Sequence, residues 1–453
     1  MDKLPESLLI EILSRLGDSA DVARCRVTSK TINSIYPELR SINLQCSLTR
    51  YINSRSSKTN SNNNNTPFKR IFLNLVSNLR VIESVWLGTD RPLRDVSYDD
   101  VEDEADDLYL TDDVFVKEWI GKVSESLNSL SISDFWVQSC WRRSNLLPLV
   151  STHCHNLVKL EVKNAWMSVE NLYPMPKLTS LTLEFIRLDD EDLNELNKCF
   201  PNLQVLNLIG VGGFKLPKIH LLNLKTCHWT VSNAPSSLTI ITPNLVTLRL
   251  ECISPTELYV EAPMLSHFHL ALDQADKFVV KKFESLKTLG LESLYIGSLI
   301  YKFPVTKNVV NLTVNSRNWV TGGAGHSVFT LEKVFTVFPN LRSLCVKSSA
   351  WSELEACYNP LGWEAFDGMK GFKTFCAYLL LVDPSLTFSS VACVLDQCTG
   401  LSEVSLLIHR DVVGNVSRSF ISRCMARWPE VKWRWGMWRE GIEDSWISDA
   451  MHI

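Results

Sequence analysis

The sequence predicts a mixed α/β fold: a small amino-terminal three-helix module, then an irregular solenoid with a parallel β-sheet on its concave face. Three observations predict it. An apolar residue, two variable residues, a second apolar residue, one variable residue and a third apolar residue recur along most of the 453-residue chain. Pro176, Pro201, Pro243, Pro263 and Pro339 each stand two residues before the first apolar position of a copy. Residues 2–37 instead show helical spacing bracketed by capping residues.

Pro5 sits at a helix start, where its missing N–H is not needed, and Leu4, Leu8, Ile12, Leu13 and Leu16 lie at helical spacing around it. Gly17 ends that helix. Asp18 caps a second one, with Asp21 three residues on and Val22, Cys25 and Val27 as its apolar face. Thr28 or Ser29 caps a third through Ile32 and Ile35, stopped by Pro37. So short a module cannot bury a self-sufficient core, and it is expected to lean on the repeats or on a partner.

After this module (residues 1–45), Leu39/Ile42/Leu44 and Ile82/Val85/Leu87 mark early strands on either side of the boundary. Residues 46–126 also hold two polar insertions. One, residues 47–69, contains an Asn-rich run at 60–66; the other, residues 95–113, has ten acidic residues and no basic one. Both read as mobile insertions too polar to offset their ordering entropy, the acidic one as a solvated loop or a steering patch for a basic partner.

The regular array fills residues 127–453. Copies begin at Leu127, Leu157, Leu178, Leu203, Leu224, Leu245, Leu265, Leu286, Val309, Leu341, Phe372 and Leu401. Any one copy is cheap in a chain that is 45% hydrophobic, but the spacing is not. Proline before a start ends the preceding segment and hands the chain to an extended strand. Helices are expected behind the strands at residues 189–200, 329–338, 389–398 and 419–428. The short repeats between Leu203 and Leu286 leave no room for a full helix and are expected to close through turns. Val431, Trp433 and Trp435 alternate as a last strand in a tryptophan-rich end, read as a cap for the terminal repeat or as an aromatic partner patch.

With 46 Lys+Arg against 50 Asp+Glu, bulk attraction to nucleic acid is not expected. No apolar run is long enough to cross a bilayer, and the acidic start does not read as a signal peptide. Thirteen cysteines without a CxxC pair fit reduced thiols, hence cytoplasm or nucleus. No catalytic motif stands out. Gly322-Gly-Ala-Gly325-His326 lacks the Lys-Ser/Thr of a phosphate loop and reads as a turn. Cys140, His153, Cys154 and His155 match no zinc spacing. No cofactor or metal is expected.

Two stretches carry a family resemblance. Pro201-Asn-Leu-Gln-Val-Leu-Asn-Leu and Pro339-Asn-Leu-Arg-Ser-Leu-Cys-Val resemble degenerate leucine-rich repeats. Leu4-Pro5-Glu6-Ser7-Leu8-Leu9-Ile10-Glu11-Ile12-Leu13-Ser14-Arg15-Leu16 resembles the opening of an F-box, and Asp21-Val22-Ala23-Arg24-Cys25-Arg26-Val27-Thr28-Ser29-Lys30 resembles its middle; the Trp usual near its end is Ile32. The combination is similar to the plant F-box/LRR family. That resemblance implies a non-catalytic, substrate-recognition subunit of a Skp–cullin–F-box ubiquitin ligase. Leu4, Pro5, Leu8, Ile12, Leu13, Val22, Cys25 and Val27 would then shape the helices that dock a Skp-family adaptor, and through it a cullin. The repeats would hold an unknown protein substrate, with no nucleic acid or membrane involved. Strand alternation nominates Glu161, Lys163, Glu184, Asn207, His228, Arg249, Glu251, His269 and Lys347 as the exposed inner-face residues. A non-degradative scaffold and a co-receptor for a small ligand remain the alternatives.

Overall fold

The computed structural model describes residues 4–59, 67–90, 93, 96–97, 101, 106–136, 141–188, 193–231, 235–281, 283–317, 329–356, 371–398 and 400–447. The Asn-rich run, the glycine-rich turn at 322–326 and Cys140 lie outside the described residues. The chain forms two compact units: residues 1–235 with 239–242, and residues 236–238 with 243–453.

The first unit opens with α1 (Glu6–Ser14), α2 (Ser19–Thr28) and α3 (Lys30–Ile35). The Asp18 carboxylate accepts the Ala20 N–H at 2.9 Å, and Ser29 Oγ accepts that of Ile32 at 3.3 Å, so both inner helices start on satisfied donors. Leu9, Leu13, Val22, Ile32 and Ile35 form the module's interior. Ile32, where the family has Trp, is buried at 3% exposure. The module does lean on the first repeat. Ser19 Oγ accepts the N–H of Asn43 at 2.9 Å, and Asp18 pairs with Arg50 at 2.5 Å.

The parallel strands of the main sheet come next in sequence order: β1 (Ser41–Cys46), β2 (Ser84–Thr89), β3 (Ser129–Ser133), β4 (Lys159–Lys163), β5 (Ser180–Glu184), β6 (Val205–Val211) and β7 (Thr226–Val231). The register aligns the second apolar position of each copy in one row: Ile42, Val85, Leu130, Leu160, Leu181, Leu206, Cys227. The third position makes the next buried row, from Leu44 to Trp229. Between them, pointing to the open face, lie Asn43, Trp86, Ser131, Glu161, Thr182, Asn207 and His228. The chain returns through α4 (Leu48–Thr59), α5 (Phe68–Asn78), α6 (Asp113–Val123), α7 (Leu146–His153) and α8 (Asn194–Cys199).

The second unit repeats the scheme with β8 (Thr247–Cys252), β9 (His267–Leu272), β10 (Thr288–Ser293), β11 (Asn311–Ser316), β12 (Ser343–Val346), β13 (Thr374–Leu379), β14 (Glu403–His409) and β15 (Lys432–Arg439), all parallel. Its helices are α9 (Ile296–Tyr301), α10 (Leu331–Val337), α11 (Ser348–Ala356), α12 (Pro384–Gln397) and α13 (Gly414–Arg427). β16 (Ile442–Ile447) then folds back antiparallel on β15, so the last parallel strand is covered. The turn between them uses Gly441 at φ 72°, a conformation that favours glycine.

Four expectations change. Residues 48–59 are helical, not a mobile insertion, because Tyr51 and Phe68 are buried anchors on either side of the Asn-rich run. The end of the acidic run is not a solvated loop: Asp106 and Asp107 are buried at 4% and 8% exposure, where they accept hydrogen bonds. The short repeats do not close through plain turns. Lys218–Ile219 pairs with Ser237–Ile241, and Glu257–Glu261 with Lys277–Lys281, so these repeats close through a second short strand. Val27 does not join the apolar face of α2; it is 89% exposed.

Candidate functional site

Candidate surfaces stand out on the helical module and on the open sheet face of each unit. On the module, Leu4 (41% exposed), Leu8 (45%), Ile12 (42%) and Leu16 (37%) run at four-residue intervals along and just beyond α1. Side chains four apart in a helix lie one above the other, so this is a continuous outward stripe. Pro5 is exposed at its start, as the N-cap of α1. The residues one step round the helix, Leu9 and Leu13, face inward at 2% and 4% exposure. Leu13 and Val22, nominated among the residues that shape these helices, therefore face the module's own core. Cys25 is partly exposed, and Val27 projects into solvent. Arg26 lies 3.9 Å above the ring of buried Tyr36, bracing α2 against the end of α3.

On the first unit's sheet face, Glu161, Lys163 and Glu184 come together. Lys163 Nζ is 2.7 Å from Glu184 Oε2 and 3.2 Å from Glu161 Oε1. Partial burial works against the ammonium, but the hydrogen bonds to Glu184 and Glu161 outweigh it and raise its pKa. Asn207 Nδ2 donates to Thr182 Oγ1 at 3.0 Å, one strand away, and His228 Nε2 lies 3.4 Å from Thr230 Oγ1.

The second unit holds the other nominated residues. Arg249 Nε is 2.7 Å from Glu251 Oε1. His269 lies over Gly290, its register partner; a Cβ there would fall 2.6 Å from His269 Nδ1, so the glycine leaves the ring its place. Burial, then the neighbouring charge of Arg249, pushes the imidazole pKa down. Lys347 Nζ sits 3.6 Å above the Tyr378 ring.

Sequence reasoning missed several members of this surface. Glu292 occupies the same ladder row as Glu251 and pairs with Arg317 at 2.8 Å. Burial raises the Glu292 carboxyl, but the hydrogen bond from Arg317 and its charge bring it below the ordinary value. Tyr378 donates to Asp444 Oδ2 at 2.6 Å and packs edge-on against Trp438, with ring centroids 5.7 Å apart. A cleft of about 620 Å³ opens between Glu292, Arg317, Lys347, Tyr378, Trp438 and Asp444. The register rule alone could have found Glu292; Asp444 joins the group only through the fold-back of β16. Among the described residues, no group of three or more His, Cys, Asp or Glu side chains could hold a metal ion. Within each unit the face offers paired charges and polar side chains, with aromatic rings beside them in the second, suited to contact with another protein surface.

The comparisons with known proteins agree with this division. The F-box-like family model matches residues 1–39, which span the three helices. The F-box/LRR-repeat protein At4g29420 of Arabidopsis thaliana is 46% identical over 454 residues, covering 99% of this chain and 100% of that protein. Since that match runs through both the helical module and the repeats, the chain belongs to the plant F-box/LRR-repeat family.

Proposed function

We propose that this protein is the substrate-recognition subunit of a Skp–cullin–F-box ubiquitin ligase, working in the cytoplasm or nucleus. The observation that carries the reading is the stripe of Leu4, Leu8, Ile12 and Leu16, left in solvent while Leu9, Leu13, Val22, Ile32 and Ile35 are buried behind it. Burying one such side chain is worth roughly 1.5–3 kcal/mol, so a partner that covers all four gains substantially. The occupant is a Skp-family adaptor, with Pro5 and Cys25 at the margins and Leu13 and Val22 holding the helices behind the contact. The open sheet face takes the target protein. The chain itself contributes proximity, holding target lysines near a thioester carried by another subunit, so it needs no nucleophile or base of its own.

The test is co-purification of the full chain with a Skp-family adaptor. Leu8→Asp and Ile12→Asp together are expected to abolish capture while the urea midpoint stays within error of the parent. Undiminished capture would sink the adaptor assignment. Removing the protein from cells should then lengthen the half-life of whatever the sheet face captures; an unchanged half-life would point to a non-degradative scaffold.

A further inference from the structure

Cys345 and Cys376 are register partners on the adjacent parallel strands β12 and β13. Both project to the open face and both are partly exposed. Neighbouring strands lie about 4.8 Å apart, which puts the two Cα atoms inside the roughly 4.4–6.8 Å range that a disulfide spans. The two side chains therefore face one another across the ladder. Lys347, two residues on and just past the end of β12, stands over the ring of Tyr378. The interaction with Cys376, against burial and with the charge of Lys347, holds the Cys345 thiol below its ordinary value, while Cys376 is pushed up. The contrast with the rest of the chain is sharp: burial pushes Cys154, Cys227, Cys252, Cys398 and Cys424 up to about 12. One activated thiol beside a protonated partner is the arrangement that thiol–disulfide exchange uses. The cleft lined by Lys347 and Tyr378 begins one alternation further along the same two strands, giving a small disulfide an approach.

We propose that Cys345 and Cys376 form a reversible dithiol–disulfide site, oxidised by exchange with a low-molecular-weight disulfide such as glutathione disulfide. The Cys345 thiolate attacks one sulfur of the small disulfide, whose S–S bond breaks and releases one thiolate. Cys376 then loses its proton to solvent and attacks Cys345 Sγ. The Cys345–Cys376 bond forms and the second small thiol leaves. Two protein thiols are oxidised and one disulfide is reduced to two thiols. A bridge between register partners must draw the strands together, because bonded Cβ atoms lie only about 3.8 Å apart. Such strain makes the bond easily reduced, as a reversible site requires. Its position ties the redox state to Lys347 and Tyr378, hence to the shape of the target-binding face.

The experiment treats the full-length protein with glutathione disulfide, quenches with acid, alkylates the remaining thiols and maps them by mass spectrometry. The expected product is a linked peptide pair joining Cys345 to Cys376, reversed by reduced glutathione, with Cys345 reacting at least about tenfold faster than Cys393. Cys376→Ser is expected to leave a persistent glutathione adduct on Cys345, and Cys345→Ser to leave Cys376 unmodified. The proposal fails if the wild-type protein ends as a glutathione adduct with no linked peptide. It also fails if both thiols stay free while Cys25 and Cys393 react.

Discussion

The carboxylate of Asp107 caps α5 from 39 residues away, its Oδ2 accepting the backbone N–H of Phe68 at 2.7 Å and its Oδ1 that of Lys69 at 3.1 Å. The helix has Pro67 as its N-cap residue, which offers no side-chain oxygen, so the first donors of α5 depend on this distant residue. Asp107→Ala should therefore cost about 1–2 kcal/mol, in the upper range for a lost cap, since the freed N–H of Phe68 is buried. Urea unfolding measures it. A change below a few tenths of a kcal/mol would mean that other groups take over the cap.

Leu8 and Leu13 are separated by five residues and by the whole difference between surface and core. Leu13→Ala is expected to destabilise the protein by about 2–5 kcal/mol, because it opens a cavity in the interior that Val22 and Ile32 share. Leu8→Ala should change stability by less than about 0.5 kcal/mol, as exposed positions usually do, yet weaken adaptor capture. The two readouts together separate packing from docking. Equal losses of stability would place both side chains in the core.

The strands were legible because the pattern admits only one reading: with two buried positions on alternate residues, a one-residue slip would turn Leu160 and Val162 out to solvent. The inner face follows the same rule, which sets Glu161, Lys163 and Glu184 side by side on adjacent strands; that they pair was not legible from the sequence. The inward and outward faces of α1 were not legible, since Leu8/Ile12 and Leu9/Leu13 form two adjacent apolar rows and only the packing of the folded module tells which row is covered. Composition also misjudged residues 106–113. Their carboxylates look solvated as a group, but Asp107 is matched to donors that the fold brings from Phe68 and Lys69, and the N–H groups of Leu110 and Thr111 are matched to Asp134. The second strands of the short repeats did leave a signal in the alternation Leu238/Ile240 and Leu258/Val260, all four fully buried or nearly so.

Gly290 and His269 form a lock across β9 and β10. Gly290→Ala would set a methyl 2.6 Å from Nδ1 of the imidazole, well inside contact distance, so the ring must leave its place. The expected cost is about 1–3 kcal/mol, the usual range for overpacking. His269→Ala in the same chain should recover most of it, so that a double-mutant cycle gives a coupling of the opposite sign. If the two substitutions simply add, the glycine is not there for the ring.

The same imidazole gives the chain a definite pH response. Burial and the nearby Arg249 hold the folded-state pKa of His269 below its ordinary 6.5, with Arg317 adding to the effect and Glu292 and Glu251 opposing it. Above pH 6.5 the ring is neutral whether the chain is folded or not, so it contributes no pH dependence. As the pH falls through 6.5, the unfolded chain takes up a proton that the folded chain refuses, and linkage then favours unfolding. Stability should fall with pH from this point until the folded-state pKa is reached. Glu292 acts elsewhere: its pKa is depressed below the ordinary 4.5, so the stability it lends is present above that value and is lost only in stronger acid. Burial raises the carboxyls of Asp134, Glu353 and Glu355, so they add their own pH dependence, and it is the comparison with a non-titrating side chain that isolates the histidine. Urea midpoints measured between about pH 6.5 and 5 should decline more steeply for the parent than for His269→Gln, which keeps a polar side chain of similar size but cannot titrate. Parallel curves would show that the ring takes its proton equally well in the folded protein.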